Sequence, residues 1–235
     1  MKGIFHLILS FLSLFLLSLP FLNTDYAFIF LFSGAIGSLL PDLDAPDALI
    51  LHPQKIIKLQ GKRLKLIRLF LIGFVRFITL FSKLLMYIYF VFLWLLGIKA
   101  SLKHREYFHS VLAGIIVSFF NSAMILIVLK YFNFLNPVRI LTLFFGFLSG
   151  FILHLLEDST TVSGVALLFP FSDLKIHGNI HTSKDVFYCL TLTISLIFSI
   201  FLSFYLNLLF PANFILLLLV WFVFYRIASI RVASF

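Results

Sequence analysis

The chain is poor in charge and poorest in acid. Of its 235 residues only nine are Asp or Glu, and charged residues together make up 11%, against about 25% in an ordinary soluble domain. One cysteine, Cys189, lies in an apolar run. That excludes an internal disulfide framework, dithiol redox chemistry and a cysteine-rich zinc knuckle. The 7 Pro and 11 Gly are too few for a collagen-like chain. What is abundant is hydrophobicity: 62% of residues, with 33 Phe among them. This rules out intrinsic disorder and a soluble globular domain, and leaves a polytopic membrane protein. A net charge of +9 would suggest nucleic acid for a soluble chain. Here it reads as cationic loops on the cytoplasmic face of a bilayer, and no nucleic-acid partner is expected.

A spanning helix needs about 20 mostly apolar residues. Segments 4–22, 26–40, 110–132, 138–157, 186–210 and 212–230 qualify, the second sharply bounded by Asp25 and Pro41. A further stretch, 66–98, is too long for one span and carries Arg68, Arg76 and Lys83; it is expected to be interfacial or re-entrant. No internal repeat or linker divides the chain, so 1–235 reads as a single domain. Backbone groups in lipid need internal partners, and these runs are too long for barrel strands. The expected fold is therefore all-α, a membrane helical bundle of about six spanning helices. The N-terminal run is long for a signal peptide and no small-x-small cleavage site follows it, so it reads as a retained helix.

With so few polar residues, their placement carries information. Three clusters fall at the ends of apolar helices: Asp42 and Asp44; His104, Arg105, Glu106, His109 and Ser110; and His154, Glu157 and Asp158. His6 stands inside the first apolar run. Acids near bilayer depth are costly unless paired or functional. His154 and Asp158, four residues apart, share a helix face and can grip one cation. Asp42 and Asp44 can face one way from an extended turn. His104 and His109 converge only if His104 precedes a helix and His109 sits in its first turn. Imidazole and carboxylate without thiolate suit zinc, with manganese the other option. Each cluster has a plainer reading, as solvated loop acids, interfacial cations or a satisfied core histidine. Glu157 points to another face, as support for the ligands or solvated. His52, His177 and His181 read as solvated or phosphate-contacting loop residues. No Gly-x-Ser-x-Gly elbow supports a serine hydrolase.

These motifs resemble a family of membrane-bound metal-dependent hydrolases, described as LexA-binding inner-membrane hydrolases and distantly similar to zinc-dependent phospholipase C. The resemblance rests on His6, on Leu40-Pro41-Asp42-Leu43-Asp44, on the His-Arg-x-x-x-His-Ser box from His104 to Ser110, and on Gly150, His154, Asp158, Thr161, Gly164 and Val165. It covers residues 6 to about 173. Three positions depart from the pattern: Ala45 where His is common, Glu106 where Gly is common, and Val162 where Pro is common. The resemblance implies a hydrolase of the cytoplasmic (inner) membrane that binds one or more divalent ions, zinc first. Its ligands would come from His6, Asp42, Asp44, His104, His109, His154 and Asp158. Metal-bound water has a pKa near about 7 and would supply hydroxide to a phosphoester, for example a phospholipid head group. Asp44 would bridge or act as base, Arg105 would neutralise substrate phosphate, and Thr161 would orient a ligand. The non-enzymatic alternatives are a divalent-ion transporter and a structural or stress-associated membrane protein.

One site makes a demand on topology. Helix one leaves the face that holds His6 and helix two returns with Asp42. A single crossing by 66–98 would strand His109, His154 and Asp158 about 30 Å away across the bilayer, so 66–98 must cross zero or two times. On that arrangement the loop cations gather on the His6 face and only Lys130 and Arg139 lie opposite. The site and both termini are then expected to face the cytoplasm.

Overall fold

The structure is a computed structural model that describes residues 3–55, 57, 64–98, 105, 107–131, 136–181 and 185–233. Seven α-helices dominate: α1 (Gly3–Ser18), α2 (Asp25–Gly37), α3 (Lys65–Leu95), α4 (Val111–Tyr131), α5 (Pro137–Ser159), α6 (Val186–Leu206) and α7 (Phe210–Ile227). All seven belong to segments long and apolar enough to cross a membrane; in the second, a short turn carries α2 on to Asp44. The helices stop where the sequence removes their means of continuing. Asn136 caps α5 by accepting from the Val138 amide at 2.9 Å, and Pro137 fills its first turn. Asn207 ends α6 in the left-handed conformation at φ 49°. The sole sheet among the described residues is a two-stranded antiparallel ribbon, β1 (Lys175–His177) with β2 (Arg231–Ala233).

The site depends on how closely α2 and α5 approach. Gly146, Gly150, His154 and Asp158 follow one another at four-residue intervals, so they form one stripe on α5. The glycine part of the stripe lies against Ser33, Gly34 and Gly37 of α2. A Cβ at Gly150 would collide with the Gly34 carbonyl, and one at Gly37 with the Phe147 carbonyl. Small residues let two backbones meet in a membrane, where apolar surface alone gives helices little reason to associate. The polar continuation of the stripe is thereby delivered beside the end of α2. On the other flank of α5, α1 packs with α6 and α7 around Leu9, Leu14, Leu192, Leu196 and Trp221. A second core joins the site end of α2 to α3, α4 and α5 through Leu40, Leu43, Met86, Phe108 and Phe151.

The 66–98 segment departs from expectation. It is one unbroken helix of 31 residues, not a re-entrant pair, because nothing between Lys65 and Leu95 breaks it: Gly73 alone interrupts the side chains and no proline occurs. Its C-terminal half sits at the site end, where the Met86 carbonyl accepts from the Tyr107 hydroxyl at 3.4 Å. Its N-terminal half lies toward the opposite end, with Phe74 stacked on Phe32 at 5.9 Å. Running once from the distal end of the bundle to the site end, α3 does not make the zero or two passages expected of 66–98, and its first turns carry Lys65 and Arg68 to the end where only Lys130 and Arg139 were expected.

Candidate metal centre

Four ligand atoms converge where α2, α4 and α5 meet. One each from Asp42, His109, His154 and Asp158 lie within 4.8 Å of one another. His154 Nε2 stands 3.4 Å from Asp42 Oδ1 and 3.4 Å from Asp158 Oδ2. His109 Nε2 is 3.7 Å from Asp158 Oδ2 and 3.9 Å from Asp42 Oδ1. Two donors each about 2.0–2.1 Å from a shared zinc, at the tetrahedral angle, are ~3.4 Å apart. These separations are long for good hydrogen bonds and close to those of donors around one ion. His109, His154 and Asp158 side chains are wholly buried, and Asp42 retains 15% exposure.

His154 is held from behind. The Ser38 carbonyl lies 2.6 Å from His154 Nδ1, which leaves Nε2 as the coordinating nitrogen. Asp44 Oδ2 lies 3.6 Å from His109 Nδ1, beyond hydrogen-bond distance but on the side of the ring away from the cluster. Fixing the far nitrogen sets both tautomer and ring orientation. The turn that carries Asp42 and Asp44 is a 3-10 turn, Pro41–Asp44, rather than the extended turn expected from sequence. The two carboxylates accordingly flank His109 on its two nitrogens instead of facing the same way. Asp44 is outside the four-atom cluster. His109 itself lies two residues ahead of α4, not in its first turn, and Ser110 Oγ accepts from the Ala113 amide at 3.2 Å as the helix cap. Burial pushes the Tyr107 phenol above its ordinary pKa, which keeps it a donor.

Asp158 serves two environments. Its Oδ2 faces the cluster, while its Oδ1 accepts from Arg105 Nη2 at 2.5 Å and lies 3.6 Å from His6 Nε2. Arg105 adopts φ 67°, a left-handed conformation costly for a side-chain-bearing residue. It also donates to Thr161 Oγ1 at 2.9 Å and to Ser163. Thr161 donates to the Asp158 carbonyl at 2.7 Å, so it braces the end of α5 while accepting from Arg105. The His6 ring stacks on His154 with centroids 4.0 Å apart. Its Nδ1 meets Glu157 Oε2 at 2.6 Å, and Ser10 donates to Glu157 Oε1 at 3.1 Å.

Of the residues expected to form the site, the structure brings together His6, Asp42, Asp44, Arg105, His109, His154, Asp158 and Thr161; His104 lies outside the described residues. Glu157 is no solvated neighbour: it is buried and holds His6. Ser10, Ser38 and Ser163 were not apparent from sequence. For Ser10 a signal existed, the four-residue interval from His6. For the Ser38 carbonyl none existed, since any residue carries one. Gly164, at φ 60°, lies so close to Ile176 and His177 that a Cβ would strike both. This tight passage brings the loop after α5 back over the site.

The electrostatics favour a cation. Asp42, Asp44, Glu157 and Asp158 bring four carboxyl groups into one interior, where Arg105 pairs with Asp158. A buried acid cluster of this kind is sustained by pairing or by a metal. The residues present fit a divalent ion held by nitrogen and oxygen donors.

The fold and site together define an integral membrane protein with an internal group of residues whose donors could hold a metal ion. The chain belongs to the YdjM inner membrane protein family, whose model matches residues 1–233. No curated protein and no solved structure matches it.

Proposed function

We propose that the protein is a membrane-bound metal-dependent hydrolase that cleaves a phosphoester at the cytoplasmic boundary of the inner membrane. The observation that carries this reading is the convergence of Asp42, His109, His154 and Asp158 within 4.8 Å, drawn from three helix ends. A divalent ion there, zinc before manganese, would supply hydroxide at neutral pH and polarise the phosphoryl group. The chain's own residues do the rest. His154 holds its Nε2 toward the centre through the Ser38 carbonyl, and Asp44 stands behind His109. Arg105, anchored on Asp158 and Thr161, presents a guanidinium to an incoming phosphate. Asp42, the most exposed of the four, faces the side from which water and substrate arrive. His6 and Asp158 Oδ1 offer donors for a further ion. The substrate class is a membrane phosphoester such as a phospholipid.

A second reading has its own observation. Four protein ligands, three fully buried, are the pattern of a structural zinc, whereas catalytic sites keep a position open. On that reading the protein binds a divalent ion without turnover. Elemental analysis of gently purified protein, together with a phosphodiesterase screen, separates the two. The hydrolase reading expects at least one equivalent of metal and turnover that Asp158→Ala abolishes. Metal without turnover favours the structural reading; equal metal content in wild type and Asp158→Ala removes both.

A further inference from the structure

The end of the bundle away from the candidate metal centre holds a cleft walled by apolar side chains, with one ion pair at its distal end. It has a volume of about 700 Å³ and lies between α2, α3, α4 and the start of α5, lined by residues such as Ile29, Phe32, Leu71, Phe74, Met124 and Leu143. It exists because α3 stands off from its neighbours. Every buried residue of α3 falls at Ile78 or beyond, and none in Lys65–Phe77. At the cleft's distal end the two charged residues among its described lining, Asp25 and Arg139, meet through Arg139 Nε and Nη2 on Asp25 Oδ2 at 3.0 and 2.6 Å.

We infer that this cleft is a binding site for one phospholipid of the distal leaflet, an acyl chain inside and the head group at Asp25–Arg139. Water is a poor occupant of the cleft's interior, since a buried water needs two to four polar partners and the walls away from Asp25 and Arg139 are apolar. An empty gap of this size would forfeit packing on several helices. Within the apolar layer the molecule at hand is lipid, and the volume is that of a ligand pocket. The ion pair supplies complementarity. Arg139 uses Nε and Nη2 on Asp25, leaving Nη1 for a phosphate oxygen, and the adjoining carboxylate suits the ammonium of an ethanolamine head group. The inference does not depend on the hydrolase reading or on metal.

The test is native mass spectrometry of the full-length protein released from nanodiscs of mixed phosphatidylethanolamine and phosphatidylglycerol. Wild type is expected to retain one phospholipid, with ethanolamine preferred. Filling the cleft with Ile29→Trp or Leu71→Trp abolishes retention, while Phe201→Trp, on the exposed face of α6, leaves it intact. Arg139→Gln weakens retention about tenfold. Helical content and thermal unfolding read alongside confirm that each variant folds. The inference is overturned if wild type keeps no lipid, if the filled variants keep it as well as wild type does, or if Phe74→Cys cross-links two copies in a Cys189→Ser background. The last result would assign the cleft to a second copy of the chain.

Discussion

Helices α2 and α5 carry charge at both ends, and the two ends behave differently. At the distal end Asp25 and Arg139 form a single pair, 52% and 34% exposed. At the other end Asp42, His154 and Asp158 are packed with His109, His6 and Glu157, and most are fully buried. An exposed pair gains little because water solvates each partner nearly as well as the other does. A buried cluster has no such alternative, so each member depends on all the rest. The same two helices therefore combine an anchor that tolerates change with a centre that does not.

Asp158→Ala should give the largest effect. It removes a member of the cluster and leaves Arg105 and three histidines without their shared carboxylate; breaking a buried pair costs about 3–5 kcal/mol. Metal content by elemental analysis should fall to background, and the unfolding temperature should drop. Gly150→Ala comes next, although it touches no ligand. The added methyl meets the Gly34 carbonyl and the Ser38 amide, forcing α2 away from α5 at a cost of about 1–3 kcal/mol. Metal affinity should fall with stability, which distinguishes this variant from a surface change. Glu157→Gln sharpens the comparison from behind the site: it loosens the hold on His6 and should weaken metal binding by about 10–100-fold, read by competition with a chromophoric chelator. Asp25→Asn is the smallest. It should shift stability by no more than about 1 kcal/mol and leave metal content unchanged; a loss of metal would show that the two ends are coupled. Topology gives an independent check. Reporter tags at both termini should report cytoplasm, and a C-terminal tag found outside would reverse the proposed facing of the site.

Much of the fold was legible because lipid imposes a simple rule. Apolar runs such as 110–132 and 186–210 became α4 and α6 within a few residues at each end, since a run of that length in a bilayer must satisfy its own hydrogen bonds. The segment 66–98 was misread because its embedded cations suggested a break. A helix can carry Arg76 on an exposed face, and α3 does. The ligand set was legible for the opposite reason. In a chain with nine acids and seven histidines, clusters at helix ends stand out, and the four-residue step from His154 to Asp158 fixed a shared face. The turn at Asp42 and Asp44 was not legible, because either backbone conformation is open to that local sequence.

The sequence by itself determined a membrane bundle, the positions of its helices and the pool of residues from which a metal centre could be drawn. These follow from length, polarity and helical period, which act locally. Only the tertiary structure decided which donors share a centre, that Asp44 stands behind His109 while Asp158 faces two ways, and that Glu157 turns inward to His6. Those outcomes depend on the glycine contact between α2 and α5 and on α1 packing against the same helix. Such contacts join residues more than a hundred positions apart, and no local pattern in the chain specifies their register.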